Sequence, residues 1–266
     1  MTGAMNETAL ALKMKPLMRW LDSRCQPDDF TQRQFDAAPF GQCYVTMDPD
    51  RQGPAASFNR NRVYMCGKEP GLEPDGLTGL IELFTGAGVD RFFAWLSPGP
   101  DMDAVRRWLD ERRFSRVRWT GYPTLCRDSR TPVHVRTELT VRQVGADQVA
   151  AARDELGDTM WPEYARSAGQ EGFFHYMAFD GARPVAVAAL CVFEGLGYLT
   201  CAATAERHRK QGAQQALIAR RIEKAEEMGC SVLVSETLTM LEHSYRNLQR
   251  AGFRDVYEKE VYEWSA

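Results

Sequence analysis

The chain has 266 residues, of which 44% are hydrophobic and 26% charged, and its formal net charge is −3. This length predicts two domains of ordinary size, and the slight negative charge argues against nucleic acid as a partner. No segment approaches the ~20 apolar residues that cross a bilayer, and the N-terminus lacks a secretory-signal pattern, so we expect a cytoplasmic protein without a membrane partner. The seven cysteines are odd in number and scattered, which indicates reduced thiols and no metal site.

The N-terminal half contains a loop, a helical pattern, a strand and a second helical pattern in that order. The loop is Lys68-Glu-Pro-Gly-Leu-Glu73, and the first helical pattern ends at Gly88. The apolar run Phe92-Phe-Ala-Trp-Leu96 predicts a buried strand. The second helical pattern ends in Trp108-Leu-Asp-Glu-Arg-Arg-Phe114.

Residues 137–204 predict the strands of a second domain. Thr137–Val144 alternates as an edge strand does, helical patterning from Asp147 to Ser167 is interrupted at Pro162, and His175–Asp180 has strand character. Two apolar runs follow, joined by Glu194-Gly-Leu-Gly197. This junction predicts a hairpin in which glycine supplies a positive φ.

The next strand, 198–204, leads through a short basic turn into a helix. The turn carries Arg207, Arg209 and Lys210 just before Gly212. Free backbone N–H groups at a helix N-terminus, together with the helix dipole, bind anionic oxygens. Gly212 allows a backbone conformation and a close approach that a Cβ would hinder. The segment therefore predicts a phosphate cradle, for which a solvated basic loop is the plain alternative.

The residues that follow narrow this prediction. Gly212 is followed by Ala213-Gln-Gln215, which excludes the nucleotide P-loop, and a single glycine excludes the dinucleotide fingerprint. The order of predicted elements then continues with a helix that ends at Gly229 and a mostly buried strand over 230–237. A second helix over 241–251 and a β-rich tail complete it.

Two motifs resemble those of the GNAT N-acetyltransferase superfamily. Arg209-Lys-Gln-Gly-Ala-Gln214 is similar to its acyl-CoA signature [Q/R]-x-x-G-x-[G/A], although Gln214 replaces the usual small residue. Asn247-Leu-Gln-Arg-Ala-Gly-Phe253 resembles the final helix-to-strand corner of the family. The resemblance covers about residues 137–266. It implies an α/β (α+β) fold with a mixed, mostly antiparallel twisted sheet flanked by helices.

The N-terminal half resembles a degenerate copy of the same domain. When the loop at Lys68–Glu73 is aligned with Arg209–Gln214, the helix and strand patterns that follow both loops coincide. Pro70 lacks an N–H group, and Glu69 and Glu73 bring negative charge to the loop. We therefore predict a degenerate domain over 1–135 that has no CoA site and a catalytic domain over 136–266; a chance match is the alternative.

The resemblance implies that acetyl-CoA is the co-substrate, that no metal is needed, and that an amine attacks the thioester directly in a ternary complex. The implied cofactor contacts fall into three groups: backbone groups that pair with the pantetheine arm, a turn that holds the pyrophosphate, and one side-chain amide. These are Ala202, Ala203 and Thr204; Arg209, Lys210, Gln211, Gly212, Ala213 and Gln214; and Asn247.

The residues that would act as general acid and general base in the reaction are less well defined. Many members of the family place a tyrosine acid where this chain has Leu248, and Tyr245, nearly one helical turn away, could replace it or simply pack against the sheet. Some members carry a glutamate base where this chain has Tyr198. Glu236 on the next strand is the carboxylate to test first, and a solvent-facing glutamate or water-relayed deprotonation is the alternative.

Four other reactive side chains have no partner visible in sequence. We interpret His175, His208 and His243 as structural, with His208 able to add charge at the phosphate, and Cys201 as a small apolar strand residue. The predicted function is acetyl-CoA-dependent N-acetylation of a small primary amine by a monomer or homodimer. Acetylation of a protein amine and non-catalytic acyl-CoA binding are the alternatives.

Overall fold

The computed structural model of the chain describes residues 6–27, 30–51, 53, 58–127 and 132–266. The chain forms two compact units, one within residues 1–23, 27–122 and 257–266 and the other within residues 24–26 and 123–256. These units do not coincide with the predicted domains 1–135 and 136–266. The compact division falls near residue 122, and the last ten residues belong to the first unit.

The order of the helices and strands along the chain is as follows. In sequence they are α1 (Glu7–Cys25), β1 (Thr31–Gln34), β2 (Tyr44–Met47), β3 (Arg62–Cys66), α2 (Pro74–Gly86), β4 (Arg91–Ser97), α3 (Met102–Glu111), β5 (Ser115–Arg116), β6 (Tyr122–Arg127), β7 (Thr140–Val144), α4 (Ala146–Ala151), α5 (Arg153–Leu156), α6 (Pro162–Arg166), β8 (Phe173–Asp180), β9 (Arg183–Phe193), β10 (Leu196–Thr204), α7 (Ala213–Glu227), β11 (Val232–Glu236), α8 (Glu242–Arg250) and β12 (Arg254–Ser265).

The first unit contains a sheet in the order β1-β2-β3-β4-β12, with β5 beside β12. Strands β3 and β4 are parallel, and the other neighbouring pairs in this order are antiparallel. Helix α2 connects the two parallel strands and buries Leu77, Leu80 and Phe84 against the sheet. The Phe84 ring stacks on Phe92 with ring centroids 4.0 Å apart. The core of this unit thus lies beneath its crossover helix.

The second unit repeats this pattern of pairing. Its sheet has the order β7-β8-β9-β10-β11-β6, and β10 and β11 are the parallel pair among antiparallel neighbours. Helix α7 connects β10 to β11 and buries Leu217, Ile218 and Ile222. A parallel pair needs a crossover connection, which explains why a helix lies between its strands in both units. The predicted fold class, with mixed and mostly antiparallel sheets flanked by helices, is confirmed.

Each unit also takes one strand from the other half of the chain. Strand β6 follows α3 in sequence but pairs with β11 in the second unit. Strand β12, the last of the chain, pairs through residues 260–265 with β4 of the first unit. Sequence periodicity predicted a strand at the C-terminus but carried no information about its partner.

Several local predictions are confirmed. The β9–β10 hairpin turns at Glu194 and Gly195, both of which have a positive φ, 46° and 78°. Pro162 is the first residue of α6, where its missing N–H costs no helical hydrogen bond. Gly229, with φ 73°, follows the end of α7. Over the described ranges, none of the helices combines the length and the apolar character required to cross a lipid bilayer.

We predict that a chain ending at residue 256 loses the structure of the first unit. Val261 and Tyr262 are buried, and residues 260–265 pair with β4, so the truncation exposes apolar surface and unpairs a strand. Hydrogen exchange should show loss of protection in β4 and retained protection in β8 and β9. Val261→Ala serves as a milder comparison, with an expected cost of about 1–3 kcal/mol of unfolding free energy. Full protection of β4 in the truncated chain would contradict the prediction.

Candidate active site

The pairing between the parallel strands β10 and β11 stops before β10 ends, because β11 ends at Glu236. Their registered pairs run from Leu196 with Val232 to Leu199 with Ser235. The Ser235 hydroxyl donates to the carbonyl of Leu199 at 3.0 Å, and β10 then continues to Thr204. Beyond Leu199 the strand pairs with β9 on its other side. The final residues of β10 therefore present a strand edge that β11 does not cover.

A β-bulge lies in β10 just after its last residue paired with β11. The register between β9 and β10 shifts between Thr200 and Ala203, and Cys201 adopts a left-handed conformation with φ 49°. After the shift, Ala203 and Thr204 pair again with β9. Bulges bend a strand and interrupt its pairing, which suits a site where a ligand must approach backbone groups. The predicted pantetheine contacts Ala202, Ala203 and Thr204 lie on this segment.

The turn after β10 has the backbone geometry expected of an anion cradle. Lys210 and Gly212 have positive φ values of 64° and 83°, and Gly212 immediately precedes α7. Within the described part of the chain, no backbone acceptor pairs with the N–H groups of residues 210–214. The side chains of Arg209 and Lys210 are exposed beside them. The predicted cradle residues 209–214 therefore lie together at the start of a 15-residue helix.

Two side chains fix this turn. Thr137 donates from its hydroxyl to the carbonyl of Gln211 at 2.6 Å, and Gln214 donates from Nε2 to the Thr204 hydroxyl at 2.9 Å. Gln214 thus folds back on the end of β10, which explains how the cradle accommodates a large side chain at this position. A Cβ on Gly212 would lie 2.3 Å from the carbonyl oxygen of Arg136. Glycine is required here by the approach of the protein's own backbone as well as by φ.

The corresponding loop of the first unit is closed by internal hydrogen bonds. Strands β3 and β4 pair along the whole of β3, to Cys66 with Ser97, and Gly67 then donates from its N–H to the Ser97 carbonyl at 3.0 Å. Lys68 donates to the carbonyl of Pro100 at 2.6 Å, and Glu73 donates to that of Pro39 at 2.8 Å. The parallel pair does not separate here, and protein acceptors already occupy these loop amides.

A buried carboxylate completes this closure. Glu69 is 3% exposed, and its Oε1 accepts from the Cys66 N–H at 2.8 Å and from the Lys15 ammonium at 2.6 Å. Burial raises the pKa of Glu69, and the positive charge of Lys15 opposes that shift. An internal acid therefore stands at the loop where the second unit has exposed basic side chains.

Two of the three predicted catalytic residues meet near the end of the pairing between β10 and β11. Glu236 is the last residue of β11 and is partly buried, and the Tyr198 hydroxyl donates to its Oε2 at 3.4 Å. Thr124 on β6 donates from its hydroxyl to Oε1 at 2.7 Å and is fully buried. Sequence reasoning missed Thr124, because the pairing of β6 with β11 joins residues that are far apart in the chain.

The third predicted residue, Tyr245, lies on α8. Its hydroxyl donates to the Asp255 carboxylate, and its ring packs against the core that contains Leu248 and Phe253. Asn247, one of the predicted cofactor contacts, lies on the same helix and accepts from Arg250 at 3.4 Å. The geometry thus gives Tyr245 a carboxylate partner, and its role as an acid stays a prediction.

The histidines and Cys201 have the following surroundings. His175 is 2% exposed, and burial lowers its pKa to about 4; its Nε2 lies 2.9 Å from the carbonyl oxygen of Tyr164 and so carries a proton. His208 is half-buried, with Nδ1 3.8 Å from the Asp180 carboxylate, and His243 is exposed. Burial raises the pKa of Cys201 to about 11, which suppresses thiolate formation. The described residues contain no group of three or more His, Cys, Asp or Glu side chains arranged to hold a metal ion.

Known proteins resemble this chain in sequence and in structure. Residues 142–253 match the profile of the Acetyltransferase (GNAT) family. A GCN5-related N-acetyltransferase from Kribbella flavida has a TM-score of 0.68 and 18% identity, covering 99% of this chain and 97% of its own. A tandem GNAT protein from the clavulanic acid biosynthesis pathway has a TM-score of 0.61 and 12% identity, with 96% of each chain covered. A GCN5-related N-acetyltransferase from Sphaerobacter thermophilus has a TM-score of 0.59 and 13% identity, covering 90% of this chain and 96% of its own.

These structural similarities extend over both compact units and concern the fold. No curated protein matches the chain in sequence.

We predict that His175 makes the stability of the protein pH-dependent on the acid side. Its folded-state pKa of about 4 lies below the ordinary value, so the folded protein binds this proton less readily than the unfolded chain. The contribution is fully present above pH ~6.5, declines as pH falls towards 4, and amounts to at most about 3 kcal/mol. Urea titrations of wild type and His175→Gln should show a smaller loss in the variant over this range, whereas exposed His243→Gln should behave as wild type. Equal pH dependence in wild type and His175→Gln would refute the assignment.

Proposed function

Because the chain belongs to the GNAT acetyltransferase superfamily, with the family's domain over residues 142–253, we propose that it transfers an acyl group from acetyl-CoA to a primary amine. The observation that carries the proposal is that one unit combines a strand edge that β11 does not cover with a helix N-terminus whose amides, at residues 210–214, have no backbone acceptor in the described part of the chain. The acceptor we propose is a small metabolite amine. A protein amine is the alternative acceptor.

The residues of the second unit fit an acyl-CoA molecule. The amides of residues 210–214 suit the pyrophosphate, because the positive end of the α7 dipole and the charges of Arg209 and Lys210 add to their attraction. The edge of β10 at Ala202–Thr204 offers backbone groups to the amides of the pantetheine arm, and Asn247 offers a side-chain amide. When bound, acetyl-CoA supplies an acyl group activated as a thioester. The chain itself must place the amine beside it and accept the amine's proton.

Glu236 is the proton acceptor in this proposal. It is the last residue of β11, and hydrogen bonds from Thr124 and Tyr198 hold its two carboxylate oxygens. Two donors fix the orientation of a carboxylate, and a general base must face the proton that it accepts. Tyr245 is the weaker candidate for protonating the leaving thiolate, because its hydroxyl already donates to Asp255.

In this proposal the first unit binds no acyl-CoA. Its loop amides donate to protein carbonyls, and the carboxylate of Glu69 brings negative charge to the place where a pyrophosphate would need positive charge. These contacts support a single acyl-CoA site per chain, in the second unit.

The direct test is release of the CoA thiol from acetyl-CoA in the presence of a broad panel of amines. Steady multiple turnover with any small amine supports the enzyme. Turnover with lysine-containing peptides alone would favour a protein acceptor. Binding of acetyl-CoA without turnover on either panel would favour a non-catalytic regulator, and absence of binding by calorimetry would refute the proposal altogether.

We predict that reversing the charges of the cradle weakens acetyl-CoA binding. The Arg209→Glu, Lys210→Glu double variant should raise the Kd about 10- to 100-fold, since each reversed charge repels the phosphates at close range. The matched control is Arg153→Glu, Arg166→Glu, which changes the net charge equally at two exposed sites in the same unit. Calorimetry should show a large loss in the first variant and little in the second. An equal loss in both would mean that only overall charge matters.

Gly212→Asp is a poorer test of the cradle than these charge reversals. Its Cβ would collide with the Arg136 carbonyl even before any ligand bound.

We predict that Glu236→Gln lowers kcat about 100-fold or more and leaves the Kd for acetyl-CoA within about 2-fold of wild type. The deficit should shrink as the pH rises towards the amine's own pKa of about 10, because a free amine needs no base. Thr124→Val should lower kcat less than Glu236→Gln, and Thr124→Ser, which keeps the hydroxyl, should restore it. Steady-state kinetics from pH 6 to 10 measure all three variants. A pH-independent deficit in Glu236→Gln would exclude this residue as the base.

A further inference from the structure

Helix α7 carries a buried arginine that the proposed mechanism has not used. Arg221 is 2% exposed, and in the described part of the chain it forms no ion pair with a carboxylate. Its guanidinium donates instead to three backbone carbonyls, those of Leu217 at 3.1 Å, Ala189 at 3.2 Å and Thr200 at 3.3 Å. These carbonyls belong to α7, β9 and β10 respectively, so a single side chain joins three elements.

Two of these carbonyls mark the edge of the bulge. Thr200 and Ala189 form the last registered pair before the register of β9 and β10 shifts. The next residue, Cys201, has a left-handed backbone, so regular strand pairing is interrupted beside it. Arg221 supplies donors to carbonyls at this interruption, where a buried carbonyl without a donor would be costly.

Stability alone is a weak explanation for an arginine at this position. Burial lowers the pKa of Arg221 to about 10, so the group is still charged at neutral pH. A buried charge that has only carbonyl partners carries a large desolvation cost, and an apolar side chain in a regular strand pair would avoid it. The bulge and the arginine are therefore features that depend on each other.

We infer that Arg221 is a positioning residue that holds the Thr200–Ala203 bulge in the shape that acyl-CoA binding requires. The inference rests on the proposed function. The bulge directs the backbone of Ala202–Thr204 along the edge that β11 leaves uncovered. Arg221 lies on the helix whose first turn would hold the phosphates, so it links the two ends of the acyl-CoA site through one rigid element.

The test compares Arg221→Met with Arg221→Lys and with a control at the adjacent position, Arg220→Met. Methionine has a similar length and no donors, lysine keeps the charge but reaches fewer carbonyls, and Arg220 is exposed and paired with Glu223. Hydrogen exchange of the amides of residues 200–204 should rise in Arg221→Met and remain unchanged in Arg220→Met. The Kd for acetyl-CoA should rise and kcat should fall, each on the order of 10-fold, because small displacements of a bound thioester are costly. Arg221→Lys should lie between wild type and Arg221→Met.

The outcomes of this test distinguish a failure of the inference about Arg221 from a failure of the proposed function. If Arg221→Met lowers Tm but leaves exchange at 200–204, Kd and kcat unchanged, the arginine is only structural and the inference is overturned. If Arg221→Met does not fold, Arg221→Lys decides the question through the same three measurements. If wild type binds no acetyl-CoA, the proposed function fails, and the exchange comparison alone then reports whether Arg221 holds the bulge.

Discussion

The site depends on one constraint, which is that the parallel pairing of β10 with β11 stops while β10 continues. Four registered pairs hold β10 to β11, and the Ser235 hydroxyl bonds to the Leu199 carbonyl where they end. Where β10 continues without β11, the polar backbone groups of its uncovered edge must find other partners or a ligand. The bulge at Thr200–Ala203, the glutamate at the end of β11 and the turn before α7 all lie at or beyond this point.

The two units show how the same scaffold can be open or closed. Both have one parallel pair, a crossover helix and antiparallel neighbours. In the first unit the pairing continues to Cys66 and Ser97, and the next amides donate to the Ser97 and Pro100 carbonyls. Glu69 adds an internal anion, which Lys15 neutralises. A few hydrogen bonds at the strand ends, rather than the sheet or the helix, distinguish the closed loop of the first unit from the turn before α7.

The two charged side chains near the end of the β10–β11 pairing, Glu236 and Arg221, have different hydrogen-bond partners. Glu236 is held by two hydroxyl donors, whereas Arg221 is surrounded by carbonyls. Each of these contacts pairs a charged group with a dipole, and such contacts are electrostatically stronger in a low-dielectric interior than in water. Such fixed dipoles need little reorganisation during a reaction, and they keep the strand end and the bulge in defined positions.

The local elements of both units, including the turn before α7, were determined by sequence alone. Periodicity, Pro162, Gly229 and the basic turn before Gly212 act over a few residues, and the structure has helices and strands where they predicted them. The partner of β12, the bond from Thr124 to Glu236 and the burial of Arg221 were decided only by tertiary structure. The first two join residues that are far apart in the chain, and the third buries a charged residue. The physical reason is that periodicity reports which face of an element is apolar, whereas strand pairing and the satisfaction of buried polar groups depend on which elements meet.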